Sequence, residues 1–388
     1  MRETTVDKLH IFIVMFFISL IMRMQVPIFT PFAAGFGASS LFIGVILSFT
    51  SFANLTGNLI AGPLVDRFGK KIFVILPIFA ASGFFIAHGF AGDSMDLLLL
   101  HGLNGLALGF FIPAAFTLLS GYAKNSRQQG KNIAINGILS TIASIIGPLV
   151  GGKLVEVIGF VNTYYFIGVA LLVGGVYAIM FLRERQMVVV HHPQQGSDSG
   201  GLTEVLKSPQ LLMVYGIGFA VMYIHGVIIY EIPYLAVEQG LSTFNTGQLF
   251  SYFSIGTFLT LSLFFINRFD SFKRLMTGLF GMSMCLFALF NSFYSLPILL
   301  FFIGLFFGLI MPAMATAITE YAARDMQGRA FAFMSAVYSL GIILSSFITG
   351  AIRETISPYF IAFLIGMLAL TIVGYVKLRT PQTVTQQI

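Results

Sequence analysis

Runs of about twenty mostly apolar residues, the length of an α-helix that crosses a bilayer, recur along the whole chain with short polar breaks between them. Twelve are read, near 9–34, 40–63, 72–91, 96–120, 131–152 and 161–182, then near 210–236, 243–266, 273–293, 296–319, 330–352 and 357–377. They are long and do not alternate, so they predict helices rather than the strands of a barrel. Composition agrees, because 57% of the 388 residues are hydrophobic and only 9% are charged. A soluble domain carries about a quarter charged residues to wet its surface, so lipid must cover most of this exterior. The expected fold class is an all-α integral membrane protein with twelve transmembrane helices. The first apolar run is too long for a cleavable signal peptide and reads as a first span.

The longest polar segment, 183–208, contains His191, His192 and a Ser/Gly-rich stretch. It reads as a hydrated cytoplasmic linker between a bundle at 1–182 and a second at 209–388. The two histidines have no further ligands beside them, and Cys285 is the single cysteine. No metal site, disulfide or other cofactor is therefore expected. All but three of the 21 Lys and Arg fall on one side of the twelve-span path, together with both termini. Lys153 and Arg353 fall on the other side, and Arg23 falls inside a span. Cations collect on the cytoplasmic side, so both termini are expected in the cytoplasm, with the protein in the cell membrane. The net charge of +6 thus reflects topology, and no nucleic-acid partner is expected.

The halves repeat. Gly105, Gly109 and Pro113 match Gly304, Gly308 and Pro312 at an offset of 199, and Tyr122-Ala123 matches Tyr321-Ala322 at the same offset. Two six-helix halves of parallel topology are a transporter architecture, with the substrate site between them at mid-bilayer.

The loop after span 2 reads Gly62-Pro63-Leu64-Val65-Asp66-Arg67-Phe68-Gly69-Lys70-Lys71. This GxLxDRxGKK pattern, between spans 2 and 3, resembles the cytoplasmic loop signature of the major facilitator superfamily. Gly62 permits close helix approach, Asp66 can meet a helix N-terminus or a cation, and Gly69 permits a tight turn. Arg67, Lys70 and Lys71 hold the loop in the cytoplasm. The resemblance implies the major facilitator fold of two pseudo-symmetric bundles, and a gate loop that latches the outward-open state. Span 5 ends Gly147-Pro148-Leu149-Val150-Gly151-Gly152, similar to a signature of that family's drug and metabolite exporters (proton antiporters). An ordinary kinked, small-residue helix is the competing reading. Where such exporters often carry an arginine in span 4, this chain has His101, which could do proton-linked work or be a partly wetted residue.

Arg23 lies near mid-bilayer by its distance from either end of span 1, with Pro27 and Pro31 following. A charge there is costly and expected to face a cavity; a structural arginine capping carbonyls is the alternative. Glu231 is the carboxylate well inside a second-half span, about 13 Å from the next loop at 1.5 Å per residue. It is read as the protonatable group, with Arg23 as its counter-ion or the substrate's; a solvated residue at headgroup level is the alternative. His225 and Tyr230 on span 7, Asn54 and Asn58 on span 2, and Asn136 on span 5 either line the cavity or join helices.

No GxxxxGK[ST] loop supports drive by ATP, and no reactive constellation supports an enzyme. The expectation is a secondary active, proton-coupled exporter of a small amphipathic organic compound, acting as a monomer by alternating access. An uptake permease for a sugar, carboxylate or amino acid is the runner-up.

Overall fold

The computed structural model describes residues 2–123, 126–184, 208–323 and 326–379. Most of the linker, with His191 and His192, lies outside the described residues, as does the side chain of Asp66. The first half comprises α1 (Arg2–Met24), α2 (Phe29–Gly35), α3 (Ser40–Phe68), α4 (Lys70–His88), α5 (Ser94–Gly121) and α6 (Ser126–Phe181). The second comprises α7 (Pro209–Gln239), α8 (Thr243–Ser262), α9 (Ser271–Phe290), α10 (Leu296–Tyr321), α11 (Gln327–Ile352) and α12 (Pro358–Arg379).

These helices make twelve spans in three unequal ways. Span 1 is α1 and α2 together, bent by 40° where Pro27 removes a backbone donor. Spans 5 and 6 are the single run α6, broken at Gly159, whose φ of 79° favours glycine. No loop separates them. Among the described residues nine helices are long and apolar enough to cross a bilayer, or ten with the bent pair. The break in α6 adds one more, and α8 is the twelfth. α8 is less apolar because it buries Thr243, Thr246, Ser251, Ser254, Thr257 and Thr260. Serine side chains end the exposed backbone at several starts: Ser39, Ser208 and Ser242 accept N–H bonds at the heads of α3, α7 and α8.

Each half has its own apolar core. Within a half, the repeated glycines let backbones touch. A Cβ on Gly105 would stand 2.3 Å from the Thr50 carbonyl oxygen, and one on Gly304 would stand 1.9 Å from that of Phe253. The polar bonds repeat too. Asn54 Nδ2 donates to the Gly105 carbonyl at 3.1 Å, and Thr257 Oγ1 donates to the Gly304 carbonyl at 3.0 Å. In lipid, where apolar burial drives little helix association, such close packing and bonding hold the bundle.

The halves meet along two seams, α3 against α11 and α6 against α8. They are one seam built twice. Ser40, Gly44 and Ser48 on α3 correspond to Thr243, Gly247 and Ser251 on α8, each pair 203 residues apart. Ser48 Oγ donates to the Ile343 carbonyl at 2.8 Å, and Ser251 Oγ to the Ile145 carbonyl at 2.6 Å. A Cβ on Gly44 would stand 2.6 Å from the Ser346 carbonyl oxygen, and one on Gly247 would stand 2.3 Å from that of Pro148. All these contacts lie in the half of the spans far from the chain termini, so the structure is closed on that far side. Toward the termini, Gly62, Gly137 and Gly328 have open space where a Cβ would stand.

Candidate functional site: a cavity between the halves

Just beneath the seams lies a cavity of about 260 Å³, reached by α1, α6, α7, α8 and α10. One wall is aromatic: His225 stacks on Phe307 at 4.9 Å and lies 5.5 Å from Phe253, whose ring is 5.4 Å from Phe307. Facing it, α6 contributes Ser140, Thr141 and Ser144, and α8 contributes Ser254 and Thr257. Arg23 supplies the one charge of the lining, which contains no Asp or Glu. Its side chain is exposed to the cavity and enclosed by the protein around it. Among the described residues it forms no ion pair and no hydrogen bond.

The small residues at the end of span 5 put Arg23 there. A Cβ on Gly147 would stand 2.6 Å from Arg23 Cβ, and one on Gly151 would stand 2.1 Å from the Met24 carbonyl oxygen. A Cβ on Gly152 would stand 2.3 Å from the Thr243 carbonyl oxygen of the other half. Pro148 lines the cavity itself. The motif therefore presses α6 against the root of Arg23 on one face and against α8 on the other.

Glu231 does not meet Arg23, and this corrects the pairing read from the sequence. It is buried near the far end of α7, where Arg353 Nε donates to Glu231 Oε1 at 3.0 Å. The same guanidinium grips Glu238 with Nη1 at 2.7 Å and Nη2 at 3.1 Å, and lies 3.6 Å over the Tyr234 ring. Arg353, just beyond α11, looks like a loop residue in the sequence, but its long side chain reaches back along the span to the carboxylate. Burial works against its charge, and the hydrogen bonds it donates to Glu238 and Glu231 more than offset this, so its pKa stands above the ordinary arginine value.

Of the other expected residues, His225 lines the cavity, and its Nδ1 has no hydrogen-bond partner. His101 does not reach it; its ring is buried 3.7 Å from Phe29 and 5.7 Å from His88. Asn54 joins α3 to α5, and Asn58, one turn along the same helix, donates to Asn54 Oδ1 at 3.3 Å; neither lines the cavity. Asn136 is buried outside the cavity lining. Tyr230 packs into the first-half core, and its hydroxyl donates to the Ser40 carbonyl at 2.6 Å. Ser40 Oγ in turn donates to Glu354 at 3.0 Å. Tyr230→Phe removes one neutral bond across the halves and is expected to weaken far-side closure by about 0.5–1.5 kcal/mol. Faster labelling of a cavity cysteine from the far side would register it; an unchanged rate would mean that this bond holds nothing shut.

In the span 2–3 loop, Gly69 turns the chain at a φ of 100°, while Gly62 has no neighbour to approach in this conformation. Arg67 lies 5.1 Å over the Phe68 ring, and Lys71 Nζ donates to the Ile179 carbonyl at 2.9 Å. The carboxylate at the head of α4 is Glu184, which sequence reading left in the linker. It accepts the Lys70 N–H at 3.0 Å and the Lys71 N–H at 3.2 Å, where a helix start favours negative charge. The cavity hydroxyls were also missed, since a Ser or Thr in an apolar helix bears no mark of which way it faces.

Known proteins agree with this architecture. The sequence profile of the Major Facilitator Superfamily matches residues 11–290 and 266–387. The multidrug resistance protein MdtG of Rahnella sp. (strain Y9602) is 24% identical over 357 residues, 88% of this chain and 84% of that protein. The quinolone resistance protein NorA of Staphylococcus aureus (strain MSSA476) is 24% identical over 396 residues, covering 94% of this chain and 95% of that one. In fold, the chain is similar to a bacterial homologue of the human lysosomal transporter Spinster, solved inward-facing and occupied. The TM-score is 0.76 at 15% identity, over 96% of each chain. This chain is a membrane transporter and belongs to the Major Facilitator Superfamily.

Proposed function

We propose that the protein is a proton-coupled exporter of a small amphipathic organic compound, working as a monomer in the cell membrane with both termini in the cytoplasm. The observation that carries this reading is the cavity between the halves, sealed at the far end by two matching seams and walled by rings on one side and hydroxyls on the other. With the termini inside, the far side is outside and the conformation faces inward. Relatives named for multidrug and quinolone resistance support export as the direction. Glu231 stands as the proton carrier, with Arg353 rather than Arg23 as its counter-charge. A proton on Glu231 would release its grip on the end of α11, and so on the seam that α11 makes with α3. The span 2–3 loop, with Asp66, is the gate that latches the opposite state.

The test is substrate-driven proton movement in proteoliposomes, wild type against Glu231→Gln. Protons moving opposite to substrate in wild type, with coupling lost and substrate binding kept in the variant, are the expected outcome. Protons and substrate travelling together would make this an uptake permease. Unchanged coupling in Glu231→Gln would remove Glu231 from the mechanism.

A further inference from the structure

Among the described residues, Arg23 stands in the cavity without a counter-charge. The nearest thing to one in the sequence, Glu231, is taken by Arg353 at 3.0 Å. Three of the five hydroxyls of the lining have their protons committed elsewhere. Thr141 Oγ1 donates to the Gly137 carbonyl at 2.9 Å, Ser144 Oγ to the Ser140 carbonyl at 2.9 Å, and Thr257 Oγ1 to the Gly304 carbonyl at 3.0 Å. What the site offers a ligand is five guanidinium N–H donors in a planar fork, the hydroxyls of Ser140 and Ser254, the lone pairs of the other three, and an aromatic shelf of His225, Phe253 and Phe307. A cationic ligand would find a fixed positive charge and no carboxylate. A carboxylate would find a geometry that matches both of its oxygens. An arginine held away from bulk water is stabilised by a counter-charge, so this lining favours an anionic ligand.

We infer that the transported molecule is an aromatic carboxylate, its anionic head on the Arg23 guanidinium and its ring on the His225–Phe253–Phe307 shelf. The ring centroids of the shelf lie 4.9 to 5.5 Å apart, within the range at which further aromatic contacts form. The volume of about 260 Å³ admits a molecule of benzoate to naphthoate size and falls just below the usual range for drug-sized ligands. This inference rests on the proposed reading that the cavity is the substrate site, but it does not depend on the direction of transport or on the coupling ion.

The experiment measures binding of three probes of one shape, naphthoate, naphthamide and naphthylmethylammonium, to the full-length protein in detergent. Wild type is expected to bind naphthoate at least tenfold more tightly than either of the others. Arg23→Gln should remove that preference, weakening naphthoate far more than naphthamide, and an unchanged thermal unfolding midpoint in detergent shows that the variant is folded. Arg23→Lys should restore part of the preference. Wild type binding all three alike, binding none of them, or preferring the cation overturns the inference, as does a preference that survives in Arg23→Gln. If naphthoate binds as expected but drives no proton counter-flow in proteoliposomes, the exporter reading falls and the ligand class stands. If a cation is exchanged for protons while naphthoate is ignored, the ligand class falls and the exporter reading stands.

Discussion

Arg353→Ala is expected to destabilise the protein by about 3–5 kcal/mol, the range for removing one partner of a buried ion pair. The side chains of Arg353 and Glu231 are 7% and 3% exposed, so the carboxylate left behind is buried and, among the described residues, pairs with no other cation. Glu238 makes the contrast. It offers the same guanidinium two short bonds, yet its side chain is 48% exposed. Water takes over when that pair is cut, and Glu238→Gln should cost no more than about 1 kcal/mol. Thermal unfolding in detergent would separate the cases, with the double variant Arg353→Ala/Glu231→Gln recovering much of the loss. If Arg353→Ala melts with wild type, the buried pair contributes nothing to the fold.

Gly247→Leu is expected to have the largest effect on conformation. A Cβ at this position would stand 2.3 Å from the Pro148 carbonyl oxygen, and a backbone atom in a helix cannot step aside. Relief comes only from parting α6 and α8. Overpacking of this kind costs about 1–3 kcal/mol, and that amount acts on the closed state alone. The ratio of far-side-open to far-side-closed molecules should therefore rise by roughly 5- to 150-fold. A cysteine placed in the cavity by Ser144→Cys, in a Cys285→Ser background, would report the change as faster reaction with an impermeant maleimide added from the far side. Gly83→Leu is the control, because nothing lies within 4 Å of that exposed position on α4. An unchanged rate in Gly247→Leu would mean that this seam is not the closure.

Much of the architecture was legible in the sequence because a bilayer imposes a length and a polarity that few other environments do. The twelve apolar runs follow from that, and Arg23 stood out against them because a charge at mid-membrane has few permissible places. Other features carry no such mark. Span 8 is read as an apolar run like the others, but which of its hydroxyl residues turn inward is unmarked. The lack of a loop between spans 5 and 6 depends on the backbone angles at Gly159 alone. The Glu231–Arg353 pair joins residues 122 positions apart, and nothing local distinguishes a reaching arginine from a loop cation. The seams were the least visible of all. Ser40, Gly44 and Ser48 are small residues four apart, a pattern that any close helix crossing in lipid can use, and the partners of Gly44 and Ser48 are backbone carbonyls, which every residue has.

The chemistry of those seams has a further consequence. Glycine against carbonyl and hydroxyl to carbonyl are contacts between uncharged groups, placed deep enough that mobile ions do not reach them. Electrolyte weakens attraction between solvent-exposed charges over about 8–10 Å at ordinary ionic strength, but it has little purchase on a closure made this way. Dissolved salt can screen charges only toward the rim, at Glu354 beside Ser40, at the half-exposed Glu238 that Arg353 grips, and at the Lys153–Glu156 pair, among the described residues. The shut face should thus stay shut in brackish and dilute media alike, leaving its opening to whatever binds within.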